Sequence, residues 1–131
     1  MAGSAARLRV LAIDDEPSFG DLIVRVLRRL ADVTFVTSIA DAAPFLAVGE
    51  LDVIICDLNL PCGGAAAVER MVAAVHPELV PRIVYVTGGA FTSDCATFLA
   101  RVSAQLVPKP FTPNELCVAV ESAAATPCGG R

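Results

Sequence analysis

Lysine and histidine occur once each in this chain, at Lys109 and His76, tryptophan is missing, and there is a single tyrosine. Lysine and arginine together number 10 against 14 acidic residues, for a net charge of -4. That balance argues against sequence-independent nucleic-acid binding, which needs cations to neutralise phosphates. The five cysteines (Cys56, Cys62, Cys95, Cys117 and Cys128) are an odd set without a CxxC pair. This argues against a disulfide framework and a zinc site and leaves reduced thiols as the expectation. No apolar run approaches the roughly 18 to 20 residues of a membrane span. The N-terminus also lacks a secretory hydrophobic segment, so a cytoplasmic protein without membrane contact is expected.

The 131 residues suit one domain with a single core. Mean hydropathy is +0.64. Much of that comes from alanine, which suits helices packed on a sheet. We expect a disordered segment at 1–6, one folded domain over 7–124 and a flexible tail at 125–131. No internal repeat or low-complexity tract interrupts them.

Apolar runs centre on residues 8–13, 33–36, 53–56, 83–86 and 105–107. Continuous β-branched runs bounded by polar residues predict strands buried on both faces, as in a parallel sheet covered by helices. Between the first two runs, Phe19, Leu22, Ile23, Val26, Leu27 and Leu30 follow the spacing of one helical face, with Asp21, Arg25, Arg28 and Arg29 opposite. A second helix is predicted at about 41–48, capped by Ser38 or Asp41, with Pro44 acceptable only in the first turn. A third follows from Val68, Met71, Val72 and Val75 and stops at His76-Pro77, which leaves His76 solvent-exposed. Cys95, Phe98, Leu99 and Val102 indicate a short fourth. Thr112-Pro113-Asn114-Glu115 starts a fifth with a capping box, its core face being Leu116, Ala119, Val120 and Ala123. Five strand-helix units imply a doubly wound α/β sheet with right-handed crossovers.

Acidic residues stand where two of these runs stop. Asp14 and Asp15 end the first, and Asp57 ends the third. Ligands bind outside the carboxyl ends of such strands. If the two strands are neighbours, three carboxylates share one crevice, and their repulsion demands a bound cation or a retained proton. The cluster therefore points to a hard metal ion and phosphate-type chemistry. Thr87 and Lys109 fall at the ends of the fourth and fifth runs.

Taken together, Ile13-Asp14-Asp15-Glu16-Pro17, Asp57-Leu58-Asn59-Leu60-Pro61, Val86-Thr87-Gly88 and Lys109-Pro110-Phe111 make the chain resemble the response-regulator receiver domains (CheY-like) of two-component signalling. Each motif alone is weak, but four in order, each at a strand end, form a strong combined signal. The resemblance implies a flavodoxin-like (βα)5 fold with strand order 2-1-3-4-5 and a site at the switch point between the first and third strands. It implies that Asp57 accepts a phosphoryl group from a sensor histidine kinase or a phosphotransfer domain. Asp15, Asp57 and the backbone carbonyl of Asn59 would hold Mg²⁺, with Asp14 acting through a coordinated water. Chemistry agrees, because a carboxylate is a competent nucleophile toward phosphorus once a metal neutralises the incoming dianion.

The resemblance also implies that Thr87 turns its hydroxyl toward the phosphoryl group beside Gly88, and that the Lys109-Pro110 bond is cis. A compact ammonium at Lys109 suits a point contact first with Asp57 and then with a phosphoryl oxygen, where a guanidinium fork would not fit. Three positions depart from the family's usual pattern. Leu106 stands where an aromatic switch residue is usual, Gly88 replaces a common alanine, and Ala65 replaces a common glycine. The stretch from Thr87 to Thr92 looks like that of receivers attached to hybrid sensor kinases.

The expected function is thus a phosphoacceptor with slow self-dephosphorylation, not an enzyme. One alternative is a non-phosphorylated interaction or dimerisation module, favoured only by Leu106. Another is an aspartyl-phosphate phosphatase, disfavoured because the acid/base position two residues after the nucleophile is Asn59. Cys56 is expected in the core, and Arg25, Arg28 and Arg29 as a solvated stripe or a kinase-docking face.

Overall fold

The computed structural model describes residues 7–58, 60, 64–88 and 106–126. Five parallel strands form one sheet in the order β2-β1-β3-β4-β5, the expected order. They are β1 (Leu8–Ile13), β2 (Ala31–Val36), β3 (Val53–Asp57), β4 (Ile83–Thr87) and β5 (Leu106–Pro108). The described helices are α1 (Pro17–Val26), α2 (Ile39–Val48), α3 (Gly64–Val75) and the C-terminal α4 (Pro113–Ala125). A 3-10 helix spans Pro77–Arg82. The helix expected from Cys95, Phe98, Leu99 and Val102 lies outside the described residues, as do the expected segment 1–6 and residues 127–131 of the expected tail.

Because side chains alternate along a strand, each apolar run feeds two cores. Leu11, Ile13, Ile54, Cys56, Ile83 and Tyr85 pack on one face with Leu46 of α2 and Val68 and Val72 of α3. Val10, Ala12, Val53, Ile55, Val84 and Val86 pack on the other with Ile23 of α1 and Leu116 and Val120 of α4. β3 and β4 are buried along their whole length. That double burial explains why their sequences are continuous rather than alternating. Each buried aliphatic side chain contributes about 1.5–3 kcal/mol relative to exposure.

The helix ends show which local signals prevailed. α1 stops at Val26, before the apolar stripe ends, and Leu27 is buried in the turn that follows. Arg7 Nη2 donates to the carbonyls of Arg28 at 2.6 Å and Ala31 at 2.7 Å, satisfying groups that a continued helix would have used. Inside α1, Gly20 is required by space: a Cβ there would lie 2.4 Å from the Phe35 ring.

Ser38 caps α2, its hydroxyl accepting from Asp41 N at 3.0 Å. The helix therefore begins at Ile39, ahead of the expected start near 41, and Pro44 falls in its interior rather than its first turn. This corrects the sequence expectation. Pro44 cannot donate to the Ala40 carbonyl, but both residues are exposed and water can take the missing bond.

His76 is half-buried rather than exposed. Its ring lies 3.3 Å from Glu78 Oε2 and 3.1 Å from the Ala47 carbonyl. Gly49, in the left-handed conformation at φ 72°, leaves the space that the ring fills. α4 opens with the expected capping box, Thr112 Oγ1 accepting from Glu115 N and Thr112 N donating to Glu115 Oε1. It runs to Ala125, one residue beyond the expected boundary at 124. Leu116, Val120 and Ala123 are buried as expected, and Ala119 is partly so. The Lys109-Pro110 bond is cis.

Candidate functional site

The register sets the site. Ile13 of β1 pairs with Cys56 of β3, so the residues that follow them, Asp14 and Asp57, emerge side by side at the carboxyl end of the sheet. Asp57 pairs with Val86 of β4, and Thr87 is the next residue on that strand. Thr87 pairs with Pro108 of β5, and Lys109 N donates to the Thr87 carbonyl at 2.6 Å, carrying the ladder one step beyond the strand. Four of the strands thus deliver acid, acid, hydroxyl and ammonium to one crevice.

Asp14 is 1% exposed and Asp57 6%, while Asp15 is open to solvent. One carboxylate oxygen from each of the three lies within 4.8 Å of the others. Such a set of hard oxygen donors fits a hard divalent cation and suits neither zinc nor copper especially well. Asp14 is held on both oxygens: Oδ1 accepts from Glu16 N at 2.9 Å, and Oδ2 receives Lys109 Nζ at 3.2 Å. Sequence reasoning gives Asp57 as the ammonium's first partner; the structure places the ammonium on Asp14. Asn59, the expected carbonyl ligand, lies outside the described residues.

Thr87 Oγ1 is buried, with no hydrogen-bond partner among the described residues. A buried unsatisfied hydroxyl costs stability unless a ligand meets it. Gly88 stands at the mouth of the site, where a Cβ would meet Lys109 Cδ at 3.5 Å, an ordinary contact. Space alone therefore does not demand glycine there. Leu106 is partly buried, paired with Tyr85 of β4 and packed in the same core. The nearest described aromatic on that side of the sheet is thus one strand over from the expected place. Cys56 sits beneath Asp57, and burial, reinforced by the charges of Asp57 and Asp14, pushes its thiol pKa well above the ordinary range. That makes it a core residue, as expected.

One residue enters the site that sequence reasoning assigned elsewhere, Phe19, and it does so beside Phe111 of the Lys109-Pro110-Phe111 motif. Lys109 Nζ lies 3.9 Å from the centroid of the Phe19 ring. Phe111 meets that ring edge-on, with centroids 5.7 Å apart and planes at 73°. Phe19 reads in sequence as one more core position of α1; its distance from Lys109 in the chain hides the contact. A hollow of about 350 Å³ beside Lys109 is lined by Phe19, Leu22, Gly88, Pro110 and Phe111. Another, of about 500 Å³, opens far from the carboxylates, around Arg7, Arg9, Phe45 and Val48.

Fold and site together define a class: doubly wound α/β domains that gather carboxylates, a hydroxyl and an ammonium at the switch point of a parallel sheet. Within that class, residues 10–121 match the model of the response regulator receiver domain, and the chain belongs to that family. It is 36% identical over 119 residues to the DNA-binding response regulator MtrA of Mycolicibacterium smegmatis. The match covers 88% of this chain and 50% of that protein, so the chain spans about half the length of its curated relative. A response regulator receiver protein from Sinorhizobium medicae superposes with a TM-score of 0.74 at 26% identity, covering 90% of this chain and 94% of the other. A CheY-like receiver domain protein from Methanospirillum hungatei reaches 0.77 at 17% identity, covering 91% and 94%. No helix among the described residues is long and apolar enough to cross a membrane.

Proposed function

We propose that Asp57 is the phosphoacceptor of this receiver domain and takes its phosphoryl group from a phosphohistidine on a sensor histidine kinase or phosphotransfer domain. The observation that carries this reading is the three-carboxylate cluster at the ends of β1 and β3, with an ammonium docked on Asp14, the more deeply buried of its two buried members. Asp57 Oδ attacks phosphorus, an O–P bond forms, and the donor's P–N bond breaks with its electron pair leaving on the histidine nitrogen.

Asp15, Asp57 and the Asn59 carbonyl are assigned to Mg²⁺, with Asp14 acting through water. Asp14 suits the indirect role because both of its oxygens already accept hydrogen bonds. Bound there, Mg²⁺ would neutralise charge on the entering phosphoryl group. Lys109 then moves from Asp14 toward a phosphoryl oxygen, and the unpartnered Thr87 hydroxyl turns to another. Thr87 movement next to Gly88 biases the surface that follows, shifting a two-state population.

The protein is an acceptor with slow self-dephosphorylation rather than a turnover enzyme, and a cytoplasmic location follows from a donor charged by ATP. The relative's name includes DNA binding. With a net charge of -4, this segment supplies the switch and not the DNA contact.

Intact-mass measurement after incubation with a small acyl phosphate and Mg²⁺ tests the proposal. One added phosphoryl group is expected, and none when Mg²⁺ is chelated before the phosphodonor is added or when Asp57 is replaced in Asp57→Asn. An unchanged mass, or the same gain in Asp57→Asn, would refute it.

A further inference from the structure

Lys109 has three neighbours of different character. Asp14 Oδ2 holds its ammonium at 3.2 Å, the Phe19 ring lies 3.9 Å from the same nitrogen, and Gly88 flanks its stem. A cation over an aromatic face is attracted by the ring's quadrupole, more strongly as water is excluded. Here the Lys109 side chain is only 25% exposed and its carboxylate partner 2%. Phe111 presses edge-on against the ring and keeps that face turned to the ammonium.

We propose that Phe19 is a positioning residue for phosphoryl transfer. It acts through Lys109, confining the ammonium to a short arc between Asp14 and the place where a phosphoryl oxygen arrives. The inference rests on the assignment of Asp57 as phosphoacceptor. An ammonium on four methylenes loses much rotamer freedom when it is fixed. The ring and the carboxylate have already imposed that loss before the donor arrives. A flexible lysine would otherwise lose this freedom in the transition state, where preorganised charge matters most. The ring offers no hydrogen-bond acceptor and forms no directional bond that must break, so the ammonium can slide off its face as the phosphoryl group enters.

Phe19→Leu keeps an apolar side chain but removes the quadrupole. It is expected to slow phosphorylation of Asp57 by a small acyl phosphate about fivefold, equivalent to about 1 kcal/mol. Phe19→Tyr should restore the rate. In a Lys109→Gln background, Phe19→Leu should have no further effect, because the group it positions is gone. Mg²⁺ affinity should be the same in Phe19→Leu and the wild type, since the Phe19 ring offers the ion no oxygen donor.

Because Lys109 is the sole lysine, carbon-13 labelling of lysine gives one ε-methylene signal. In the wild type its protons should lie upfield of free lysine, displaced by the Phe19 ring current, and Phe19→Leu should return them. A wild-type signal at the free-lysine position would overturn the inference whether or not the variant folds. So would an unchanged rate in Phe19→Leu, an equal slowing in the Lys109→Gln background, or failure of Phe19→Tyr to restore the rate. Wild-type protein that takes up no phosphoryl group would refute the phosphoacceptor assignment instead, and the lysine signal would still report on the ring contact.

Discussion

Asp15 is the exposed member of the carboxylate cluster, open to an entering ion. Asp15→Asn should weaken Mg²⁺ binding by about tenfold or more, a loss on the scale seen when a metal site is disturbed, as titration calorimetry would show; unchanged affinity would remove Asp15 from the ion's shell. Asp14, Asp15 and Asp57 were legible because each is a polar residue that stops an apolar run, and the end of a buried strand is where a parallel sheet exposes chemistry. Lys109 and Thr87 were legible for the same reason. The docking of Lys109 on Asp14 and Phe19 was not, because both contacts join residues about 90 positions apart and neither has a local pattern. Cys56 makes a different prediction. Only the thiolate reacts with alkylating agents, and in the fold burial and two nearby carboxylates hold Cys56 in its neutral form. Peptide mapping after iodoacetamide at mildly alkaline pH should find Cys56 unmodified in native protein and modified in urea. The sign of the linkage follows: a thiol harder to ionise when folded favours the unfolded chain as pH rises above the ordinary thiol range, and is neutral to stability below it.

At the scale of elements, apolar runs located every described strand, and helical spacing or cap signals located the four described α-helices, while local competition decided their ends. Ser38 and Asp41 both offered a cap, and Ser38 prevailed because its hydroxyl can reach Asp41 N. The 3-10 helix Pro77–Arg82 had no sequence signal: with Pro77 and Pro81 in six residues it has no apolar period to read. The capping box was explicit, because its partners lie three residues apart. Thr112→Ala should cost about 1 kcal/mol of unfolding free energy, measurable by urea denaturation. Gly20→Ala should also destabilise, although alanine is the better helix former by about 1 kcal/mol. The new methyl group would meet the Phe35 ring at 2.4 Å, and overpacking of that kind costs about 1–3 kcal/mol. A more stable Gly20→Ala protein would show that the ring can move aside.

For the molecule as a whole, the two cores on opposite faces of one sheet explain why so alanine-rich a chain forms a rigid base for the site. β1 and β3 contribute to both cores, so the carboxylates are carried on strands anchored from both faces. The fold class was therefore legible from strand runs and helix spacing together, whereas strand order came from the family resemblance, since nothing local says which strands are neighbours. What sequence left open is how a phosphoryl group at Asp57 alters the surface, because Leu106 lacks the aromatic ring and Tyr85 stands on the adjoining strand. Identifying the phosphorylated residue tests the central claim most directly. After treatment with an acyl phosphate and Mg²⁺, borohydride reduction should convert only the phosphorylated aspartate to homoserine, and peptide sequencing by mass spectrometry should place that homoserine at position 57. Homoserine at position 14 or 15, or none at all, would contradict the assignment of Asp57 as the phosphoacceptor.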